Sequence, residues 1–392
     1  MIAKIVAIVI LGMSVNIYIP IAPSILGAWV DYQGLTMDVA GRLTSYDFWG
    51  ATVGTVLAIF VLHRPGWNLR ATMMACVLLV ITTSAASVWL AGNIPALVMV
   101  RLLNGVGSGL GFTVACVAVI GTPHIERTYA ILYGSPFLIS GIGLALLPMV
   151  YRAIGIEGVF YAMGVINLLS LFLLPWFPKT VQREEGQRGG VVSIFAPAAR
   201  WLVVLVLTGL LLHYVFNSGI WTYFERLGVT AGMSPETAGA ILGPSMAAAI
   251  FGMIAASVLG DRWGYMRPIY IGVVAILAST LALLGSTSEL VFGLGTAVFN
   301  ASITFVTPYM VAILALLIPS GLGVTAANVA TIVGFSTGPL LISFMIAGGT
   351  FTAAILLTAA GFVVVLILFA LYVRMLGRTP GFDRLKSLSQ RS

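Results

Sequence analysis

Residues 350–375 read TFTAAILLTAAGFVVVLILFALYVRM, an apolar run whose only charged residue, Arg374, comes at its end. A helix of about 20 mostly apolar residues is long enough to cross the hydrocarbon core of a bilayer. Similar runs recur at 4–27, 38–62, 70–91, 95–120, 128–151, 157–177, 200–224, 235–259, 267–286, 289–317 and 321–347, twelve in all. The breaks between them carry charge, Gly or Pro: Asp31, Arg64-Pro65-Gly66, Gly92-Asn93, Pro123 to Arg127, Glu157 and Asp261-Arg262. Backbone amides in hydrocarbon must be satisfied within the segment itself, so these runs predict helices. A membrane β-barrel would instead show alternating segments of about ten residues.

Composition agrees. The chain has 392 residues, 60% of them hydrophobic and only 8% charged, with a mean hydropathy of +1.08. A soluble domain carries about 25% charged residues, so this chain lacks the polar side chains needed to cover a water-facing surface. The 44 glycines are aperiodic and the apolar fraction is high, which excludes collagen and disorder. Cys76 and Cys116 lie in apolar runs without metal-ligand spacing, so neither a disulfide framework nor a metal site is expected. The net charge of +7 is scattered in short pieces between hydrophobic runs, a distribution that fits membrane topology and not nucleic acid binding. After Lys4 comes an apolar run of about 22 residues without an A-x-A-like cleavage site, which reads as an uncleaved first span.

Lys and Arg set the orientation. With the N-terminus in the cytoplasm, all 19 basic residues fall on the cytoplasmic side except Arg152 and Arg226 outside and Arg42 and Arg101 within spans. Both termini are then cytoplasmic, in a multi-pass membrane protein. The longest polar stretch, 178–199, carries Lys179, Arg183, Glu184, Glu185 and Arg188 and separates two sets of six spans. The expected organisation is a six-helix bundle over 1–177, a cytoplasmic linker over 178–199, a second bundle over 200–376 and a basic tail over 377–392. His63-Arg64-Pro65-Gly66 after span 2 recurs as Asp261-Arg262-Trp263-Gly264 after span 8, and Gly134-Ser135-Pro136 in span 5 echoes Gly334 to Pro339 in span 11. Two halves repeated in parallel around a cytoplasmic linker are one plan of secondary transporters.

Gly260-Asp261-Arg262-Trp263-Gly264 resembles the loop signature G-x-x-x-D-R-x-G-R-R of the major facilitator superfamily, and Arg101 to Gly107 resembles its span 4 signature R-x-x-x-G-x-G. The resemblance runs over essentially the whole chain and implies a protein of the bacterial inner membrane. It implies an all-α integral membrane protein with twelve transmembrane helices in two pseudo-symmetric six-helix bundles, rocking about a central site formed mostly by spans 1, 4, 7 and 10. The first-half loop is degenerate, with His63 where Asp is usual. Gly134, Pro136, Gly141 and Gly143 loosely resemble the span 5 motif of drug:proton antiporters, without its G-P pair. The resemblance makes Gly260, Asp261, Arg262 and Gly264, with Arg64, candidates for a conformational latch at the cytoplasmic face. A simple topology anchor is the alternative.

Ionisable groups inside a membrane cost at least a few kcal/mol each and tend to be paired or functional. Asp47 lies nine residues into span 2 and Arg101 six into span 4, roughly 14 and 9 Å from the same face at 1.5 Å per residue. They are candidates for a proton-coupling pair, Asp47 as carrier and Arg101 as the cation that tunes its proton affinity. A permanent structural pair, or pairing of Asp47 with Arg42, would look the same in sequence. Arg101 is also suited to a substrate carboxylate. The matching second-half positions lie near Ser245 and Asn300, so embedded charge is expected only in the first half.

His213, Asn217 and Trp221 fall on one face of span 7 at i, i+4 and i+8. Together with Asn16, Tyr18, Arg101, Tyr133, Asn300, Thr304 and Asn328, they are candidates for substrate binding; interhelical hydrogen bonding and packing are the competing roles. Residues 104–111, NGVGSGLG, lie within a span, follow no strand and lack the Lys-Ser/Thr pair of a phosphate loop. Close packing through small residues explains them better. With three histidines and no ATPase motif, the chain is not expected to be an enzyme or to need a cofactor. The expected function is proton-coupled transport of a small organic compound, amphipathic or aromatic, by a monomer in the lipid bilayer, with export placed slightly ahead. Uptake of an organic acid with Arg101 as its ligand is the alternative, and a channel fits a two-fold repeat less well.

Overall fold

The computed structural model describes residues 2–62, 67–123, 125–180, 200–285, 287–318, 322–346, 350–379 and 387. Its elements are helical, and no strand occurs among the described residues. The chain divides into two compact units, one up to Glu184 and one from Glu185.

The first unit comprises α1 (Ile2–Val15), a 3-10 turn (Ile19–Ile21), α2 (Ala22–Gln33), α3 (Met37–Leu62), α4 (Leu69–Trp89), α5 (Ile94–Val119), α6 (Ile125–Ser170) and a second 3-10 segment (Leu171–Trp176). The predicted first span is therefore broken. The helices bend by 49° across residues 16–18, and Pro20 and Pro23 just beyond the break cannot donate backbone hydrogen bonds. α6 joins predicted spans 5 and 6 through a kink at Gly155, whose φ of 70° favours a residue without a Cβ. The second unit comprises α7 (Arg200–Trp221), α8 (Phe224–Thr230), α9 (Pro235–Leu259), α10 (Met266–Ala282), α11 (Glu289–Leu317), α12 (Leu322–Met345) and α13 (Thr352–Arg378). Among the described residues, eight helices are long and apolar enough to cross a membrane, and nine if the bent α1–α2 pair is one span. The 17-residue α10 is apolar but shorter than the helices of that group.

Helix starts follow capping chemistry. Asn68, Asn93, Ser234 and Ser288 accept the amides of Ala71, Ala96, Thr237 and Val291, which satisfies donors left free in the first turns of α4, α5, α9 and α11. In each unit the second and fourth predicted spans pack together, α3 on α5 and α9 on α11. The first unit's core joins Leu11 and Val15 of α1 to Met73 and Val77 of α4, Val114 of α5 and Leu132 of α6. Outer faces stay apolar where they are exposed, as at Leu138, Met149, Phe251 and Val258. That surface suits hydrocarbon and not water.

Candidate functional site

Arg101, Asn104 and Ser108 recur at i, i+3 and i+7 and so share one face of α5. Arg101 Nη2 donates to Asp47 Oδ2 of α3, and Asn104 Nδ2 donates to the same oxygen at 3.1 Å. Arg101 Nη1 donates to Ser87 Oγ of α4 at 3.1 Å, and Ser87 Oγ donates to the Thr83 carbonyl at 2.8 Å. Thr83 Oγ1 divides its proton between Asn104 Oδ1 at 3.0 Å and the Leu79 carbonyl at 2.7 Å. The bonds close a ring through α3, α4 and α5. Asp47 is 0% and Arg101 1% exposed, so the pair is removed from bulk solvent. Asp47 Oδ1 and Arg101 Nε have no hydrogen-bond partner among the described residues.

Glycines allow the approach. A Cβ on Gly105 would lie 1.9 Å from the Asp47 carbonyl oxygen, and one on Gly50 would lie 2.0 Å from that of Leu102. One turn on, Gly109 meets the Ala51 carbonyl and Gly54 that of Val106. The backbones of α3 and α5 therefore touch at the level of the pair, the close packing the glycine run predicts. Arg42 bonds Asp38 at 2.7 Å one turn away, so the pairing of Asp47 with Arg42 is not formed.

The break in the first span meets the same face of α5. Asn16 Oδ1 accepts from Ser108 Oγ at 3.0 Å, and the Tyr18 ring lies 4.1 Å from the Arg101 guanidinium carbon. Tyr133 stands apart. It is half exposed on α6, near Phe112, Tyr129 and Cys116, and Cys116 is 15 positions from Arg101 on α5, about 22 Å at helical rise.

In the second unit, Asn300 Nδ2 donates to Ser245 Oγ at 3.4 Å, so the neutral counterparts of the ion pair also meet. Thr304 Oγ1 donates to the Ala249 carbonyl of α9 at 2.7 Å. Both residues join α11 to α9. His213 is wholly buried, edge-on to the rings of Tyr214 and Phe362, and neither ring nitrogen has a hydrogen-bond partner among the described residues. Asn217 is nearly buried, Trp221 packs on Phe335, and Asn328 is exposed on α12.

Embedded charge is not confined to the first unit. Glu225 and Arg226 form an ion pair at 2.5 Å in α8, with side chains 4% and 3% exposed. The sequence placed Arg226 in an outer loop because it follows an apolar run. The break at Thr222–Tyr223 instead turns α8 inward, where Phe224 packs on Phe299. Between α9 and α10, Gly260 and Gly264 take φ of 54° and 67°, and the Gly264 amide bonds the Asp261 carbonyl at 3.0 Å. The two glycines let residues 260–265 turn tightly around Asp261 and Arg262. Arg64 lies outside the described residues.

No group of three or more His, Cys, Asp or Glu side chains that could hold a metal ion occurs among the described residues. No curated protein matches the chain in sequence. Solved structures share its fold. The nucleoside transporter NupG superimposes with a TM-score of 0.78 at 11% identity, covering 96% of this chain and 99% of that one. The POT family transporter PepTSo gives 0.74 at 11%, over 95% and 97%. The inward-open xylose transporter XylE from E. coli gives 0.70 at 14%, over 92% and 94%. The sequence profile of the Major Facilitator Superfamily matches residues 5–319, well over half of the molecule. The chain belongs to the Major Facilitator Superfamily, a family of membrane transporters and not enzymes.

Proposed function

We propose that the protein is a proton-coupled secondary active transporter that exports a small amphipathic or aromatic organic compound by alternating access. The observation that carries this reading is the buried Asp47–Arg101 pair, in which Asp47 takes two hydrogen bonds on Oδ2 and none on Oδ1. Oδ1 is therefore free to take a proton. Protonation would convert an ion pair into a weaker contact between a cation and a neutral carboxyl group, and a change in pairing energy between two conformations shifts their populations. The shared fold alone does not assign coupling, although one structure with it is of a D-xylose–proton symporter.

Substrate contacts are proposed at Asn16, Asn217 and Trp221, which adjoin the breaks in the first helix of each unit. Interrupted helices present backbone groups that a continuous helix keeps occupied. Uptake of an organic acid by Arg101 is less well supported, because rings cover the guanidinium and a carboxylate would first have to displace Asp47.

A thermal-shift screen at two pH values, which detects compounds that stabilise the folded state, supplies the substrate for the test. In proteoliposomes with an imposed pH gradient, Asp47→Asn is expected to lose gradient-driven flux. Wild-type gradient-driven flux in that variant would overturn the reading.

A further inference from the structure

Arg101 is held by more than Asp47. Its guanidinium carbon lies 4.1 Å from the Tyr18 ring centroid and 5.4 Å from that of Phe160. Phe160 is itself packed against Trp29 of α2, with ring centroids 5.3 Å apart. All three rings are 2% exposed or less. A cation over a ring face is attracted by the ring quadrupole, and more strongly when water is excluded. These rings can therefore keep Arg101 in place when Asp47 is neutral.

Tyr18 sits between the end of α1 and the 3-10 turn, and its carbonyl accepts the Ile21 amide at 3.2 Å. Two side chains seven positions apart on α5 clasp this break, Arg101 through the Tyr18 ring and Ser108 through Asn16. The charged or titratable groups facing the cluster are Asp47 of α3, Arg101 of α5 and Tyr18 itself. α4 offers the hydroxyls of Ser87 and Thr83, α6 offers Phe160 and α2 offers Trp29.

We propose that Tyr18 is a positioning residue that transmits the charge state of the Asp47–Arg101 pair to the break between α1 and α2, and is not a substrate contact. This rests on the reading of Asp47 as the proton carrier. With Asp47 ionised, Arg101 is shared between carboxylate and ring. With Asp47 neutral, the ring takes a larger share, and Tyr18 moves with the guanidinium, carrying the backbone at residues 16–21. The ring face is what matters, so Phe at position 18 preserves the link and an aliphatic side chain breaks it.

Amide exchange over residues 13–22 reads this without a substrate. The full-length protein in lipid nanodiscs is compared in mildly acidic and mildly alkaline buffer, after correction for the chemical exchange rate. The wild type and Tyr18→Phe are expected to show a difference in protection between the two buffers. Tyr18→Leu and Asp47→Asn are expected to lose it. Should Tyr18→Leu fail to fold, as judged by protection lost throughout α4 and α11, Tyr18→Met takes its place. A wild-type difference in the aliphatic variant, with Asp47→Asn flat, would overturn the role of Tyr18 while leaving the proton carrier intact. Loss of the difference in Tyr18→Phe would also overturn it. A wild-type difference in Asp47→Asn would overturn the carrier and this proposal with it.

Discussion

Arg101 and Asp47 are buried together, and neither side chain can turn to water if the other is removed. Stranding one member of a buried ion pair costs about 3–5 kcal/mol, whereas replacing both by apolar residues of similar volume is often neutral. Arg101→Met is therefore expected to lose about 3–5 kcal/mol of stability, and Asp47→Leu combined with Arg101→Met to recover most of it. Thermal denaturation of the detergent-solubilised variants checks the order. The order matters for function, because a double variant that is stable yet silent in gradient-driven flux would separate coupling from folding. Much of this site was legible in the sequence, since Asp47 and Arg101 lie in comparable layers of apolar helices and have few partners to choose from. The Asn104, Ser87 and Thr83 bonds were not, because which face of α4 meets α5 is fixed by packing and not by any charge signal.

Between α3 and α5 the limiting contacts are backbone to backbone. A Cβ at Gly105 would fall 1.9 Å from the Asp47 carbonyl oxygen, and neither helix backbone can yield as a flexible side chain would. Overpacking a well-packed interface costs typically about 1–3 kcal/mol and occasionally more. Gly105→Val is expected to reduce folded yield sharply. Gly164 of α6 has no heavy atom within 4 Å of its virtual Cβ, so Gly164→Ala should be neutral or stabilise by about 0.5–1 kcal/mol, the ordinary gain of Ala over Gly in a helix. Size-exclusion profiles and melting temperatures of the two variants give the comparison. Apolar length made the helices themselves predictable, whereas their breaks were harder to read. Pro20 and Pro23 mark the one in the first unit, but Thr222–Tyr223 carries neither Gly nor Pro. The inward turn of α8 there, and the burial of Glu225 with Arg226, depend on side chains such as Phe299 that come 70 residues later or more.

Over the whole molecule, charge is spent on position before chemistry. The chain has 19 basic and 12 acidic residues, and the basic ones gather in alternate loops of the sequence. Lys and Arg near span ends orient a membrane protein more strongly than acids do, so the C-terminus and the 178–199 linker are expected on the cytoplasmic side, with the loop between α8 and α9 opposite. Gly232 in that loop takes a φ of 97° and has open space around it, which makes it a tolerant insertion point. Green fluorescent protein matures in the cytoplasm and not after export in unfolded form. A fusion after Ser392 is expected to fluoresce, and one after Gly232 to stay dark. A bacterial alkaline phosphatase, active only outside, should give the reverse. The opposite pattern would invert the orientation, and Asp47, which lies nearer the start of α3 than its end, would then take its proton from the cytoplasmic side.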